Sequence, residues 1–391
     1  MSRPRQVTVL GATGSIGRST ADVLRAAPER FAVSALVGGR DAAALARQAV
    51  ELRASFAALA DPAGLPDLRD ALQGTGIACG AGEAAVREAA ERDADIVVAG
   101  ISGVAGLAPT RAAMKPGRSL ALANKECLVS AGEAFMADAR RIGVTVLAMD
   151  SEHNALWQAL QAGRREDVVS LTLTASGGPF RTWPADRIAG ATAAQALKHP
   201  VWSMGAKISI DSATMMNKGL EIIEARHLFD VPPDRLEVLV HPQSIVHGLV
   251  QWRDGSVTAG LGAADMRIPI AHCLGEGGRL DFPGTRLDLA AIGALTFEAP
   301  DVERFPCLRL AREALVAGGA VPTVLNAANE VAVDAFVRGR IGFLDIAGLV
   351  DETCAAWGAH GASAAPTVEE ALVVDHESRR IAAGLLSRRG S

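Results

Sequence analysis

The chain contains no tyrosine, and none of the motifs that organise it depends on one. Its five cysteines, Cys79, Cys127, Cys273, Cys307 and Cys354, are scattered, odd in number and form no CxxC pair. That spacing argues against a disulfide framework and a thiolate zinc site, and it fits a reducing compartment. No apolar stretch reaches the roughly 18–20 uncharged residues that a membrane-spanning helix needs. The first residues run straight into a strand-like segment without a signal-peptide hydrophobic region. A cytoplasmic protein with no membrane partner is therefore expected. No run of like charge suggests disorder. The formal net charge of −5 argues against a nucleic-acid partner, whose footprint is normally a basic face. Internal repeats and low-complexity tracts are also missing.

What remains is globular: 49% apolar and 21% charged residues over 391 positions, too many for one typical core. Residues 1–150 alternate apolar runs (Val7–Leu10, Phe31–Val37, Ile96–Ala99, Ser119–Ala123, Val144–Met149) with amphipathic segments such as Ile16–Ala27 and Ala42–Arg53. Strands separated by helices imply an α/β, Rossmann-like, doubly wound parallel sheet. Residues 151–275 read as a central α+β catalytic domain. Its strands are Val168–Thr174, Leu236–Val240, Ile245–Trp252 and Ser256–Leu261, the last two joined by the turn Arg253-Asp254-Gly255. A Gly/Pro-punctuated linker is expected over 276–305. A small C-terminal helical bundle over 306–391 follows, with helices at Leu308–Ala317, Thr323–Val337, Asp345–Trp357 and Val368–Leu386.

The run Gly11-Ala-Thr13-Gly14-Ser15-Ile16-Gly17 lies between the first strand and the first helix. Glycines there let the backbone turn tightly and let a pyrophosphate approach the helix N-terminus, so a dinucleotide is the expected ligand. The second strand ends in Gly38-Gly39-Arg40-Asp41. NAD-binding proteins usually place an acid at that tip, whereas an arginine suits a 2′-phosphate, so NADPH is expected over NADH.

Asp150-Ser151-Glu152-His153 follows the last strand of the sheet. Two carboxylates at i and i+2 of an extended tip point the same way and repel each other unless they share a cation. Glu221 and Glu224 supply further acids, and oxygen ligands without cysteine suit Mg²⁺ or Mn²⁺. On spacing alone, surface acids near helix N-termini are the simpler reading, and His153 reads as a hydrogen-bonded structural residue. Ser176-Gly-Gly, the segment Lys198–Lys207 and Asp211-Ser212-Ala-Thr-Met-Met-Asn217-Lys218-Gly219 concentrate hydroxyls, amides, glycines and lysines. Together they suit a phosphate monoester. Individually, Ser212 is also readable as a helix N-cap, and Met215 and Met216 as core.

These runs, in order, resemble the signatures of the 1-deoxy-D-xylulose 5-phosphate reductoisomerase family. They are Gly11–Gly17, Ala123-Asn124-Lys125-Glu126, Asp150–His153, Ala175-Ser-Gly-Gly-Pro-Phe180, His199-Pro-Val-Trp202-Ser-Met-Gly205, Asp211–Glu221, His241-Pro-Gln-Ser-Ile-Val-His247 and Leu325-Asn-Ala-Ala-Asn-Glu330. The resemblance implies an NADPH-dependent enzyme that rearranges the carbon skeleton of 1-deoxy-D-xylulose 5-phosphate with a divalent metal (Mg²⁺ or Mn²⁺, with Co²⁺ a further option). The resulting aldehyde is then reduced to 2-C-methyl-D-erythritol 4-phosphate, a precursor in isoprenoid synthesis.

It further implies that Asp150, Glu152 and Glu221 are the metal ligands. Ser176, Ser212, Asn217 and Lys218 would hold the substrate phosphate, with His199 and Trp202 in the loop that closes over it. Ser151 and Lys125 would contact the substrate, and Lys125 would stabilise or shuttle a hydroxyl proton. Asn124, Glu126, Gly205 and Met266 would join the Gly-rich loop, Gly39, Arg40 and Asp41 around the cofactor. A homodimer is implied as well. Family members often carry lysine and asparagine where this chain has Arg40 and Asp41, which keeps the positive charge, and Val201 stands where a polar lid residue is common.

Two other readings compete: an NADP-dependent semialdehyde or sugar dehydrogenase with no isomerase step, and a non-enzymatic NADP-sensing binding protein. The first needs no carboxylate cluster, and the second leaves the donor-rich stretch 175–221 without a purpose. If Arg40 recognises a 2′-phosphate, Arg40→Ala raises the KM for NADPH far more than that for NADH. Steady-state kinetics with both cofactors checks this, and equal effects would refute the assignment.

Overall fold

The structure is a computed structural model that describes residues 3–202, 204–281, 284–358 and 367–389. Ser203, within the expected lid, lies outside the described residues. In the first half, strands β1 (Arg5–Leu10), β2 (Phe31–Gly38), β3 (Phe56–Leu59), β4 (Ala78–Ala81), β5 (Ile96–Ala99), β6 (Ser119–Leu122) and β7 (Thr145–Ala148) form one sheet. Their order is β4-β3-β2-β1-β5-β6-β7, with every pairing parallel. Strand order therefore reverses between β1 and β5, the topological switch point of a doubly wound sheet. Ile96-Val-Val-Ala99 is buried at every position, as a central strand covered on both faces must be. β3 and β4 were not foreseen. They are four residues each, Phe-Ala-Ala-Leu and Ala-Cys-Gly-Ala, with no β-branched side chain to mark them.

Arg118 precedes β6 and is buried without an ion-paired carboxylate among the described residues. Its guanidinium donates instead to the carbonyls of Ala90, Arg92, Ala94 and Ala113 at 2.7–3.0 Å. Those carbonyls lie at the C-terminal ends of helices Glu83–Glu91 and Leu107–Ala112 and just beyond the first, where backbone acceptors lack helical partners. One side chain thus ties two helix ends to the start of the strand that leads to Asn124 and Lys125.

By packing, the chain divides into two units: residues 1–127, 136–151 and 265–285 in the first, and 128–135, 152–264 and 286–391 in the second. The segment 265–285 was expected to close the second domain and open a linker, but it packs with the first unit. There Glu276 pairs with Arg5 at 2.6 Å and accepts from Ser119 Oγ at 2.5 Å. Arg5 also donates to the carbonyl of Leu274, and the Cys273 thiol to that of Ala148.

In the second unit, strands β8 (Val168–Ala175), β9 (Leu236–Val240), β10 (Val246–Trp252) and β11 (Val257–Leu261) form a mixed sheet ordered β11-β10-β8-β9. The β10–β11 hairpin turns at Arg253-Asp254-Gly255, where the Asp254 carboxylate accepts the Ser256 N–H at 2.9 Å. Helices Cys307–Ala317, Val321–Val337, Asp345–Gly358 and Val368–Arg389 cover the expected C-terminal positions; Ala320, Val324, Trp357 and Val374 cluster among themselves, but most of the buried residues of these helices belong to a larger core. Their buried faces join those of the sheet and of helix Met216–Phe229 in one cluster, in which Phe343 meets Phe180 edge-on at 5.0 Å. The reason lies in helix Met216–Phe229. Lys218, Leu220, Glu221, Ile222, Ile223, Glu224 and Ala225 are all buried, so these two turns are covered around their whole circumference and more than one layer must pack on them.

Burial pushes His227, on that helix, and His272, on helix Arg267–Leu274, down to about 4, with Arg226 and Arg279 respectively adding to the effect. Between the ordinary histidine value of 6.5 and about 4, the unfolded chain takes up protons that the folded chain refuses. Their contribution to stability is complete above 6.5 and is lost as the pH falls toward 4. Urea midpoints measured between about pH 7 and about pH 5 should fall, with His227 accounting for on the order of 2 kcal/mol after allowing for solvent screening. His227→Asn should flatten this slope, and an unchanged slope would refute the assignment.

Candidate active site

The Gly-rich turn is built by close packing. Gly11 has φ +86°, and a Cβ there would lie 2.5 Å from the carbonyl oxygen of Gly100; one on Gly17 would lie 2.2 Å from that of Ala12. Neither position admits another residue without moving backbone. The N–H groups of Gly11 and Ala12 donate to the Val37 carbonyl at 3.0 and 2.6 Å, bracing the turn on the end of β2. Gly14 and Ser15 are exposed where helix Ser15–Ala26 opens, with Ile16 half-buried behind them. The N–H groups of this first turn have no helical acceptors, which suits an anion.

Thr13 faces the tip of β2, since a Cβ on Gly38 would lie 3.3 Å from its methyl group. Beyond Gly38, residues Gly39, Arg40 and Asp41 are exposed. The Asp41 carboxylate accepts the Ala44 N–H at 2.9 Å as the N-cap of helix Ala42–Glu51. Its acid is therefore engaged by the helix, and Arg40 is the charged group left at the strand tip.

After β6 come Asn124, Lys125 and Glu126, all buried. Asn124 is consumed by structure: its amide donates to the carbonyls of Ile101 and Gly103, and its oxygen accepts the Cys127 N–H at 3.0 Å. Glu126 opens helix Glu126–Ile142. The Lys125 ammonium reaches Asp150 Oδ2 at 2.7 Å, while Asp150 Oδ1 accepts the Ser151 N–H at 3.0 Å. Met266 precedes helix Arg267–Leu274, also in the first unit. The Asp150–Glu152 stretch is not an extended tip as expected. The chain enters helix Ser151–Ala159 at once, so Glu152 stands in a first helical turn.

In the second unit, helix Met216–Phe229 starts from Met215 at φ +65°, an unusual conformation for a residue with a side chain. Its first turns present Asn217, Lys218 and Glu221 at helical spacing. Asn217 donates to Glu221 Oε1 at 2.5 Å. The Lys218 ammonium bonds Glu221 Oε2 and, at 3.0 Å, Glu152 Oε1. Lys218 and Glu221 are almost wholly buried. His153 is buried behind them, with Nε2 at 2.9 Å from the Glu221 carbonyl and Nδ1 at 3.3 Å from Glu224.

A second cluster gathers around Ser176. His199 Nδ1 accepts the N–H groups of Val201 and Trp202 at 3.2 and 2.8 Å, so the ring proton sits on Nε2 and points to Ser176 Oγ, 2.9 Å away. Ser176 Oγ also accepts the Gly178 N–H at 3.1 Å. With its oxygen already accepting twice, the hydroxyl's own hydrogen is left for an incoming oxyanion. Gly178, at φ +70°, is packed so closely that a Cβ would lie 2.7 Å from the Ser212 carbonyl, which places Ser212 beside this cluster. Ser212 lies inside helix Ala206–Ala213 and is not its N-cap; Gly205 holds that position, in the second unit. Burial lowers the His199 pKa, opposed by the charge of Glu152. Trp202 approaches His247 with ring centroids 6.1 Å apart. His247 had been noted only as the end of a longer run. It is buried on β10 with Nε2 3.2 Å from the Gly262 carbonyl, although alternation along that strand groups it with the half-buried Leu249 and Gln251, so no sequence pattern marked it.

A doubly wound sheet with a Gly-rich first turn, carried in one chain with an anion-suited hydroxyl cluster and paired acids, defines a dinucleotide-dependent enzyme. Comparisons with known proteins narrow the class. Family models described as 1-deoxy-D-xylulose 5-phosphate reductoisomerase match residues 7–132, and those of its C-terminal domains match 146–229 and 261–381. The 1-deoxy-D-xylulose 5-phosphate reductoisomerase of Bradyrhizobium sp. strain BTAi1 is 60% identical over 98% of this chain and 94% of its own length. That of Afipia carboxidovorans is 60% identical over the same shares. Among solved structures, the Zymomonas mobilis reductoisomerase in complex with NADPH superposes with a TM-score of 0.91 at 48% identity, covering 98% of this chain and 99% of that one. A DOX-P reductoisomerase in complex with NADPH, fosmidomycin and magnesium does so with a TM-score of 0.91 at 40% identity, covering 98% of each chain. The chain belongs to the 1-deoxy-D-xylulose 5-phosphate reductoisomerase family.

A neutral His199 that orients Ser176 should matter to an anionic substrate and not to the cofactor. His199→Ala should raise the substrate KM about tenfold, the size of one lost hydrogen bond to a charged group, and leave NADPH binding unchanged. Because burial lowers its pKa, the wild-type KM should stay level as the pH passes down through 6.5 and rise only below it. A KM that already rises above pH 6.5 would contradict this state of the ring.

Proposed function

We propose that the chain catalyses the NADPH-dependent, metal-assisted conversion of 1-deoxy-D-xylulose 5-phosphate into 2-C-methyl-D-erythritol 4-phosphate. One observation supports this most. The second unit holds an oxyanion-ready Ser176–His199 pair together with the acids Glu152 and Glu221, whose oxygens converge on a single cationic group, the Lys218 ammonium. A sugar dehydrogenase with no isomerase step needs the first feature only.

The donor set fits a hard divalent ion: carboxylate oxygens, no thiolate, and two acids already directed at one positive charge. Asp150, two residues before Glu152, completes the ligands with Glu152 and Glu221. Bound there, Mg²⁺ or Mn²⁺ would polarise adjacent substrate oxygens while a carbon–carbon bond breaks and re-forms.

The chain's own residues do the rest. Ser176, Ser212, Asn217 and Lys218 hold the phosphate, and His199 keeps the Ser176 hydrogen directed at it. Trp202 belongs to the segment that covers the substrate and excludes water, so binding energy from the remote phosphate orders the reacting end. Lys125, held by Asp150, donates to a reacting hydroxyl, and Ser151 contacts the same part of the substrate. The first unit binds NADPH through Gly11, Thr13, Gly14, Ser15, Ile16, Gly39 and Arg40, with Met266 near the nicotinamide.

The protein acts in the cytoplasm as a homodimer. Edge strand β11 supports the second copy, since it exposes Val257, Ala259 and Leu261 on one face.

An NADPH-oxidation assay with the xylulose phosphate, with metal added or chelated, tests the activity. Turnover should require metal, Asp150→Asn should abolish it, and Lys125→Ala should cut kcat by roughly a hundredfold or more. Full turnover in chelator, or reduction of the rearranged aldehyde without any turnover of the xylulose phosphate, would point to the dehydrogenase instead. Val257→Lys with Leu261→Lys should convert a dimer to a monomer in sedimentation, and a wild-type monomer would refute the assembly.

A further inference from the structure

Arg18 sits on the first turn of helix Ser15–Ala26, immediately after Gly17. Its side chain is exposed, and its Nη1 donates to the Thr13 carbonyl at 2.5 Å. Among the described residues, no carboxylate pairs with it. The nearest acid by helical spacing, Asp22, gives its carboxylate to Arg25, which also bonds Glu51 at 2.7 Å. Arg40, at the tip of β2, is likewise exposed and pairs with no carboxylate among the described residues, and Asp41 beside it is engaged as a helix cap.

Arg18 is fastened to the Thr13 carbonyl, and Arg40 lies two residues past Gly38, whose Cα faces the Thr13 methyl group. Two uncompensated arginines, one tied to Thr13 and one following the strand tip that Thr13 packs against, make a local positive field on a chain whose net charge is negative.

We infer that Arg18 is a second specificity-determining residue for the cofactor, acting with Arg40 on the 2′-phosphate of the adenosine ribose. This rests on the NADPH reading above. The charge arithmetic supports it, because a phosphate monoester carries about −1.5 to −2 near pH 7 and so matches two guanidinium groups better than one. Position supports it too. The contact holds the Arg18 guanidinium at Thr13, the residue whose methyl group meets Gly38 at the β2 tip. A guanidinium with five donors uses one of them on Thr13 and keeps the others for the phosphate.

Fluorescence titration of the full chain with NADPH and NADH, in the absence of metal and substrate, tests the inference, with 2′-AMP as a displacing probe. Arg18→Gln should raise the Kd for NADPH about tenfold and weaken 2′-AMP similarly, while moving the Kd for NADH less than about twofold. Arg18→Lys should recover part of the NADPH preference, and Arg18→Gln combined with Arg40→Gln should abolish it. A fall in NADPH and NADH binding by the same factor would overturn the inference, because it would mean that Arg18 acts on the pyrophosphate or merely braces the loop. No change in either would overturn it as well. If the unmodified chain showed no preference for NADPH, the underlying cofactor reading would fail first, and visibly so.

Discussion

A buried ammonium shared by two carboxylates sets the terms for the second unit. Lys218, Glu221 and Glu152 bring three charges into a region with little water, where each alone would be costly and only their mutual contact makes burial tolerable. That requirement runs through the neighbourhood. The helix must begin where Lys218 and Glu221 share a face, so Met215 takes a left-handed conformation to start it there. The carbonyl of Glu221 must be met, and His153 meets it. Asp211, one helix earlier and equally buried, is held by Lys207 at 2.9 Å and by Asn329 of the C-terminal helices at 2.8 Å. The last helices of the chain thus reach back to a charged group in the run that carries the phosphate residues.

Much of the fold was legible because its determinants are local. Ile96–Ala99 and Leu236–Val240 stand where apolar runs placed them, and all four C-terminal helices follow the 3.6-residue period within a few residues of either end. What was not legible depended on partners distant in sequence. β3 and β4 are strands only because β2 offers an edge to pair with. The segment 265–285 belongs to the first unit because helix Arg267–Leu274 packs on helix Ser15–Ala26, Cys273 bonds Ala148, and Arg5 and Ser119 bind Glu276, and no pattern within 265–285 records those partners. A C-terminal bundle seemed self-sufficient until helix Met216–Phe229 proved to need cover around most of its surface.

At the site the division is similar. Glycine positions could be read because a tight turn tolerates little else, and the structure gives the reasons in the backbone of Gly100 and Ala12. The rivalry between Arg40 and Asp41 could not be settled from their adjacency, since it depends on Asp41 capping the next helix. Spacing suggested that Asp150 and Glu152 share an extended tip, yet a helix starts between them and re-aims Glu152 toward Lys218. The proton position on His199 and the free hydrogen of Ser176 lay beyond any sequence argument, because they follow from two backbone N–H groups that only the folded loop presents.

The discontinuity of the first unit has a consequence for how the protein is made. Its strand β1 leaves the ribosome long before the segment that pairs Glu276 with Arg5 and Ser119 is translated. The nucleotide-type sheet can pair its strands early, yet these closing contacts must wait for synthesis to pass residue 285, with most of the second unit's sheet already emerged. The order of translation thus differs from the order of assembly, and the half that is made first is the half that is finished late.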